Sequence, residues 1–500
     1  LKTPASGGSF FIKHGKKLDM YLGLDLGTSG IKALLIDDDQ GIVTSAHADL
    51  HVARPHAGWS EQNPQDWCEA AEKALLAIKA SHPREMAAVK GIGLSGQMHG
   101  AVLLDQHAHV LRPAILWNDS RSRIQAARLD ADPQFRAISG NIVFPGFTAP
   151  KLVWVKENEP EIFTKIHKVL LPKDYLRLWL TREYLSDFSD SSGTAWLNTA
   201  QRRWSAELLS ATDMNISQMP DLVEGTEQAG HLRPEIASKF GLPSGTIIAG
   251  GGGDNAASAC GVGTVAPNRA FISLGTSGVV FAANQQYSPN AESAVHSFCH
   301  ALPDMWHQMG VILSATDSLN WFAKICGQTP PELISELGEA LQAPGGVSFL
   351  PYLSGERTPH NDAALRGSFI GLGHESDRPA LTQAVLEGVA FAVRDNLEAL
   401  RVAGTEITQA TAIGGGSRSL YWLSAIATIS GIPLEVPQDG DYGAAFGAAR
   451  LGMIAAHNLD PVAVCTLPKI AKVVEPVVQL TSAYEEAYQR YKARYPAARV

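Results

Sequence analysis

Thr246-Ile247-Ile248-Ala249-Gly250-Gly251-Gly252-Gly253-Asp254-Asn255 is the stretch on which the reading of this chain turns. An apolar, strand-like run ends in four residues without a Cβ, so another group can come up to the backbone and the chain can take angles that other residues avoid. The loop then delivers a carboxylate and an amide into the space left open, just before the Ala-rich segment Ala256–Ala259. A catalytic base at Asp254 is one reading. A glycine turn with Asp254 capping the next helix is the plainer one.

A repeat favours the first. Leu26-Gly27-Thr28-Ser29-Gly30 recurs as Leu274-Gly275-Thr276-Ser277-Gly278, each copy flanked by apolar β-formers. Identity over five residues at matched places in the two halves points to duplicated architecture. Gly-Thr-Ser-Gly turns present backbone N–H groups and hydroxyls in a concavity suited to phosphate oxygens, and two of them face to face would clamp a polyphosphate. From Met20, the runs Tyr21–Leu26, Ile31–Ile36 and Ile42 onward read as an antiparallel meander. A strand, not a helix, therefore follows the first glycine turn, and GxxxxGK[ST] is absent, so neither a Rossmann unit nor a P-loop is expected.

Gly91, Gly93 and Gly96 form a nominal GxGxxG, but Gln97-Met98-His99-Gly100 and another apolar run follow it. These glycines are expected to let a strand end approach a ligand. Ala412-Ile413-Gly414-Gly415-Gly416-Ser417 is a second apolar run ending in glycines, taken as the counterpart of the stretch before Asp254, with Ser417 in the place of the acid. Helices are expected from an Asn63 cap to about Ala80, over Leu381–Leu400 and over Tyr442–Ala455, the last with small residues suited to close packing. Ser482 and Glu485 form a capping-box signal for a final helix.

Five hundred residues call for two domains of roughly 200 to 250 residues each. The expected division is a leader over 1–19, one domain over 20–264 and a second over 265–500. A net charge of −9 without a long basic run argues against nucleic acid as a partner. No apolar run reaches the roughly 18 residues of a membrane span. Cys68, Cys260, Cys299, Cys326 and Cys465 are odd in number and never spaced CxxC, which fits a reducing cytoplasm. His296, His300 and His307 lack a ligand-bearing context and are read as structural.

Gly146, Thr148, Lys151, Leu152, Trp154, Val155, Glu157 and Asn158 fit one signature of the FGGY family of carbohydrate kinases at its spacing. Gly367, Phe369, Gly371, Leu372, Leu381, Ala384, Val385, Leu386 and Glu387 fit another, with Ala380 standing where a polar residue is usual. The chain resembles that family from Met20 nearly to its C-terminus. The stretches Trp59–Gln62, Gln97–Gly100, Leu116–Asp119 and Pro351–Pro359 resemble the members that act on D-xylulose; glycerol-phosphorylating members differ at Met98 and His99.

The resemblance implies an α/β fold of two actin-like, ribonuclease-H-like domains flanking an active-site cleft, with sugar on the first domain and ATP largely on the second. It implies ATP-dependent phosphorylation of D-xylulose at O5, with Asp254 as catalytic base and Asp25 as the acid that acts through Mg²⁺. Met98, His99, Asp254 and Asn255 match its sugar-contacting positions. Gly275 and Thr276 match its γ-phosphate turn, with Gly27, Thr28 and Ser29 as the first-half copy, and Gly415 and Gly416 match its adenosine side. Many members are dimers, so a homodimer is expected too. Other ketose and polyol kinases share the scaffold. A chaperone or a sugar-binding regulator is disfavoured, because about 45 residues follow the last Ala-rich helix and no helix-turn-helix precedes the first strand.

Overall fold

A computed structural model describes residues 19–438 and 443–499. The leader expected over 1–19 lies almost wholly outside the described residues, as does Tyr442, the expected start of one helix.

The repeat read from the two glycine turns is a repeat of sheets. The first sheet is built from β1 (Met20–Leu26), β2 (Gly30–Asp37), β3 (Ile42–Asp49), β4 (Val89–Gly96), β5 (Gln228–His231) and β6 (Ile247–Ala249), in the order β5-β6-β4-β1-β2-β3, with the short β7 (Gly252–Gly253) also beside β4. The second contains β8 (Arg269–Leu274), β9 (Gly278–Asn284), β10 (His296–Cys299), β11 (Trp306–Ile312), β12 (Gln409–Ile413), β13 (Leu434–Pro437) and β14 (Ile470–Val474), in the order β14-β13-β12-β8-β9-β11-β10. Along both sheets, from β5 and from β14, the first five pairings run antiparallel, parallel, parallel, antiparallel, antiparallel, and the second sheet adds an antiparallel sixth, β11 with β10.

This topology corrects one pairing. β12 lies parallel to β8 as β4 lies parallel to β1. The counterpart of Gly414–Ser417 is therefore Gln97–Gly100, not the loop before Asp254. That loop follows β6, whose counterpart is β13.

The strand–helix packing explains most of the glycines. Helix α1 (Pro64–Ser81), capped by Asn63 as expected, buries Trp67, Ala71, Ala74, Leu75 and Ile78 with Leu22, Leu24 and Leu26 of β1. Alternation along the strand sends Tyr21, Gly23 and Asp25 to the opposite face. There Tyr21 packs with Ala445, Phe446 and Ala449 of α6 (Ala444–His457). A Cβ on Gly23 would stand 1.8 Å from Ala445 O, one on Gly93 1.7 Å from Ala448 O, and one on Gly91 2.1 Å from Gly452 O. Gly91 and Gly93 thus receive a helix backbone, not a ligand.

Because α6 comes from the second half, the two sheets exchange helices. Helix α2 (Asp254–Val262) contributes Ala259 and Val262 to a cluster with Phe271 and Phe281 of the second sheet. The helices meet where Gly447 would carry a Cβ 1.7 Å from Ala257 O, and Arg450 Nη1 donates to Cys260 O at 2.7 Å and Gly261 O at 3.0 Å. Helix α4 (Arg378–Val402) spans the helix expected over 381–400. The final helix, Thr481–Arg494, starts without the expected capping box: Ser482 falls inside its first turn, and Glu485 bonds Gln489 and pairs with Arg394.

Candidate active site

Strand register brings the two candidate carboxylates together. Ser95 of β4 is opposite Asp25 of β1 on one side and Gly252 of β7 on the other, and its Oγ donates to Asp25 Oδ1 at 3.0 Å. Asp254 is the first residue of α2, immediately after Gly253, which pairs with Gly96. Both acids therefore stand in the crevice outside the carboxyl ends of neighbouring parallel strands, where open α/β sheets bind ligands. Asn255 N and Nδ2 donate to Asp254 Oδ1 at 2.8 and 2.9 Å. Burial, then the Asp25 charge, push Asp254 up to about 7, and burial also raises Asp25.

The glycine loop is threaded among the protein's own backbone. A Cβ on Gly250 would stand 2.0 Å from Glu224 O, and one on Gly251, whose φ is +75°, 2.2 Å from Leu94 O. A buried charge cluster then grips it. Arg177 Nη2 donates to Gly250 O at 2.5 Å, and Gly253 N donates to Ser189 Oγ at 3.1 Å. Ser189 Oγ in turn donates to Asp187 Oδ2, and Lys173 Nζ lies 2.5 Å from Asp174, 2.7 Å from Asp187 and 3.4 Å from Asp190. Burial lifts Asp190 well above its ordinary value, against the pull of Lys173. Sequence reasoning missed this cluster. Its only signal was the density of acids and serines from Ser186 to Ser192.

His99 has a left-handed backbone, φ +69°, a conformation that costs a non-glycine residue on the order of 1–3 kcal/mol. Two signature residues hold it there: Lys151 Nζ and Thr148 Oγ1 both donate to His99 O, at 2.8 and 3.1 Å. The ring stacks on Phe147 at 4.7 Å, and Nδ1 lies 2.7 Å from Gly193 O. Burial, with Lys151 adding to it, pushes His99 down to about 3. The imidazole is therefore neutral. Nδ1 must carry the proton to bond a carbonyl, and Nε2 keeps a lone pair that accepts from a hydroxyl. Met98 lies against Gly253, where a Cβ would be 3.0 Å from its sulfur, so Met98 and His99 border the same space as Asp254.

The two turns are hairpin bends, as expected, but their side chains differ. In the first, Thr28 Oγ1 donates to Gln97 Oε1 and accepts from Trp117 Nε1, both at 2.9 Å, while Gln62 Nε2 donates to Thr28 O at 2.8 Å. That hydroxyl is committed within the protein and Gly27 N donates to Gly30 O at 2.9 Å, so of the three residues Thr28 and Ser29 have backbone N–H groups to offer a ligand, with the Ser29 side chain exposed beside them. In the second, the carbonyls are drawn inward: Gly275 O accepts from Thr316 N at 3.0 Å, and Thr276 O accepts from Ala315 N at 2.9 Å. Helix α3 (Thr316–Cys326) starts there. Thr276 is exposed, and its side chain makes no hydrogen bond among the described residues. Beside it lies a cavity of 950 Å³ bordered by Thr316, Asn320, Gly415, Gly416, Tyr421 and Lys472. Gly416 packs on Leu274, where a Cβ would stand 2.8 Å from the leucine Cβ, so the cavity opens next to the second turn.

Asp119 and Arg121 pair with each other at 2.7 Å, and Arg121 lies 3.6 Å over the Trp59 ring, which places Trp59 in packing. His296, His300 and His307 are buried, their pKa values lowered by that burial. Among the described residues no group of three or more His, Cys, Asp or Glu could hold a metal ion. Ser95 bonds Asp25 Oδ1, and Asp25 Oδ2 has no hydrogen bond among the described residues, a single oxygen that would suit an ion taking most of its ligands from phosphate and water, as Mg²⁺ does.

Comparison with known proteins agrees with this geometry. The N-terminal domain of the FGGY family of carbohydrate kinases matches residues 20–261, and the C-terminal domain of the same family matches residues 270–456. The xylulose kinase of Escherichia coli K12 is 50% identical over 440 residues, covering 88% of this chain and 90% of its own. The crystal structure of a xyloylose kinase from Brucella ovis superposes with a TM-score of 0.94 at 67% identity, covering 96% of this chain and 99% of that one. A glycerol kinase from Plasmodium falciparum with ADP, 20% identical over 95% of this chain and 98% of its own, shares the fold at a TM-score of 0.86.

Proposed function

The chain belongs to the FGGY family of carbohydrate kinases, and from that premise we propose that it transfers the γ-phosphoryl group of ATP to O5 of D-xylulose, giving D-xylulose 5-phosphate and ADP. The observation that carries the reading is Asp254: a carboxylate pushed up to about 7, beside a second acid and a neutral histidine, at the ends of parallel strands.

Phosphoryl transfer passes through a loose transition state, so the protein's work is alignment and neutralisation of charge. Asp254 takes the proton of the O5 hydroxyl as that oxygen attacks phosphorus. Its raised pKa matches a base that works near neutral pH. Asn255 holds one Asp254 oxygen, leaving the other to face the sugar. The His99 Nε2 lone pair accepts from a sugar hydroxyl, and Met98 closes the wall between them. The Gly275–Thr276 turn holds the γ-phosphate, and the cavity beside Gly415 and Gly416 takes the adenosine. Asp25 would hold Mg²⁺, which supplies neutralisation of phosphate charge when bound. We divide the chain at residues 264 and 265, sugar before and nucleotide after, and place the reaction in the cytoplasm, a placement supported by five thiols of which none is paired in a disulfide.

Coupled assays of ADP release with D-xylulose, L-ribulose, D-ribulose, gluconate and glycerol test the substrate. D-xylulose is expected to give the highest kcat/KM. Equal rates with all five, or none with D-xylulose, would overturn the assignment.

A further inference from the structure

Arg357 differs from four other enclosed arginines. Arg112, Arg121, Arg177 and Arg202 each have a carboxylate within ion-pair distance. Among the described residues Arg357 has none: its one side-chain hydrogen bond runs from Nη1 to His296 Nε2 at 3.4 Å. Its guanidinium lies 4.6 Å over the Phe144 ring, and burial draws its pKa down to about 10. Arg357 is partly buried and feels the charge of Glu356, yet no carboxylate lies within ion-pair distance of it among the described residues, so its donors are open to an acceptor that arrives from elsewhere.

The backbone that carries it is fixed to the second sheet. Thr358 N donates to Val311 O at 3.2 Å, and Val311 N donates to Thr358 Oγ1 at 3.1 Å. Glu356 Oε1 accepts from Leu313 N at 3.0 Å, and Leu313 O accepts from Ser277 Oγ of the second turn at 3.2 Å. The side chain nonetheless reaches residues of the first half. Phe144 and Phe147 pack on His296 at 5.1 and 5.7 Å, and Phe147 stacks on His99. One aromatic wall therefore runs from Arg357 to the sugar-facing histidine.

The direction of the bound sugar follows from where these groups stand. The phosphorylated hydroxyl must face Asp254, whose neighbouring charge is Asp25. Arg357 comes to the site from the His99 side, through His296 and Phe147, and with O5 at Asp254 that side is the one left for C1 and C2 of a pentulose. A carbonyl oxygen only accepts hydrogen bonds, and a guanidinium only donates them. We propose that Arg357 is a specificity-determining residue that the second half of the chain lends to the sugar site: its guanidinium donates to the C2 carbonyl of the bound ketose and so selects 2-ketoses over polyols that carry the same terminal hydroxyl. This rests on the reading of the protein as a ketose kinase.

The test compares wild type, Arg357→Met and Arg357→Lys with D-xylulose against xylitol and L-ribulose against ribitol, with sugar binding also followed by tryptophan fluorescence and ADP affinity as the check on folding. Loss of a charged hydrogen bond is expected to raise KM for D-xylulose about ten- to a hundredfold in Arg357→Met, with a smaller rise in Arg357→Lys, while the xylitol constants move less than about twofold by the same reasoning. An unchanged ketose-to-polyol ratio, or equal losses on both, overturns the proposal. Arg357→Gln replaces the Met variant if the latter fails to bind ADP. A wild-type enzyme that prefers L-ribulose would overturn the D-xylulose assignment alone, and Arg357 is then judged on L-ribulose against ribitol.

Discussion

Replacing Asp254 by Asn should slow the enzyme and stabilise it, and the second effect can be worked from the structure. The carboxyl is pushed from 3.8 in an unfolded chain up to about 7 in the fold. Below pH 4 both states hold the proton and Asp254 contributes nothing to the pH dependence. Between about 4 and 7 the unfolded chain loses its proton while the native state keeps it, so the unfolded state binds fewer protons and stability falls as pH rises. Roughly three pH units at 1.36 kcal/mol each amount to about 4 kcal/mol lost by pH 8. Asn keeps an oxygen to accept from Asn255 and cannot ionise, so it escapes the loss. Ligand-free Asp254→Asn is expected to denature at a higher temperature than wild type at pH 8, the two curves converging as pH falls toward 4. Its turnover should drop by about 10²- to 10⁴-fold, the usual contribution of a general base. A variant no more stable than wild type at pH 8, or a difference that ignores pH, would refute the burial and charge argument; unchanged turnover would remove the base.

Asp25 is the second cause of that shift, after burial. The rise of kcat/KM with pH, centred near 7 in wild type, should therefore move to lower pH in Asp25→Asn yet stay above the ordinary carboxylate range; an unmoved limb would show that the two acids do not interact. Ser189→Ala removes the acceptor of Gly253 N–H, a buried loss of about 1–3 kcal/mol, and should lower kcat more than it raises KM for sugar, whereas equal kcat in steady-state assays would separate the charge cluster from the base. Gly93→Ala drives a Cβ to 1.7 Å from Ala448 O, while Gly346→Ala meets nothing within 4 Å. Denaturant titration should find the first destabilised by more than about 1 kcal/mol and the second within about 0.5 kcal/mol of wild type.

Local signals in the sequence carried the strands, the two turns, the Asn63-capped helix and the family. What they did not carry were relations between distant segments. Ala412–Ser417 and the run before Asp254 look alike because both are apolar and end in glycines, yet strand order is set by pairings across the sheet, and those put Ala412–Ser417 level with Gln97–Gly100. The same limit hid the use of Gly91 and Gly93. Their small size was legible, but not the helix from the far end of the chain that fills it. It also hid the grip of Arg177 and Ser189 on the glycine loop, since nothing in the order of residues says that position 177 meets position 250.

The corrected alignment of the two sheets bears on why one fold serves both substrates. At equivalent strand ends, the first sheet continues into Met98 and His99 and the second into Gly414–Gly416. A left-handed histidine pinned by Lys151 supplies a directional acceptor, which suits a sugar hydroxyl; glycines beside a cavity supply a smooth floor, which suits a flat base or ribose. The exchanged helices then bind the two sheets to each other. The segment that delivers Asp254 begins α2, whose far end packs on the second sheet, while α6 of the second half lies against Gly23, two residues before Asp25. Any rotation of one sheet against the other must move through α2 and α6, and both reach the acids. On the proposed placement of sugar and nucleotide, the two would be coupled through the same pair of helices, which lie against the strand of Asp25 and carry Asp254.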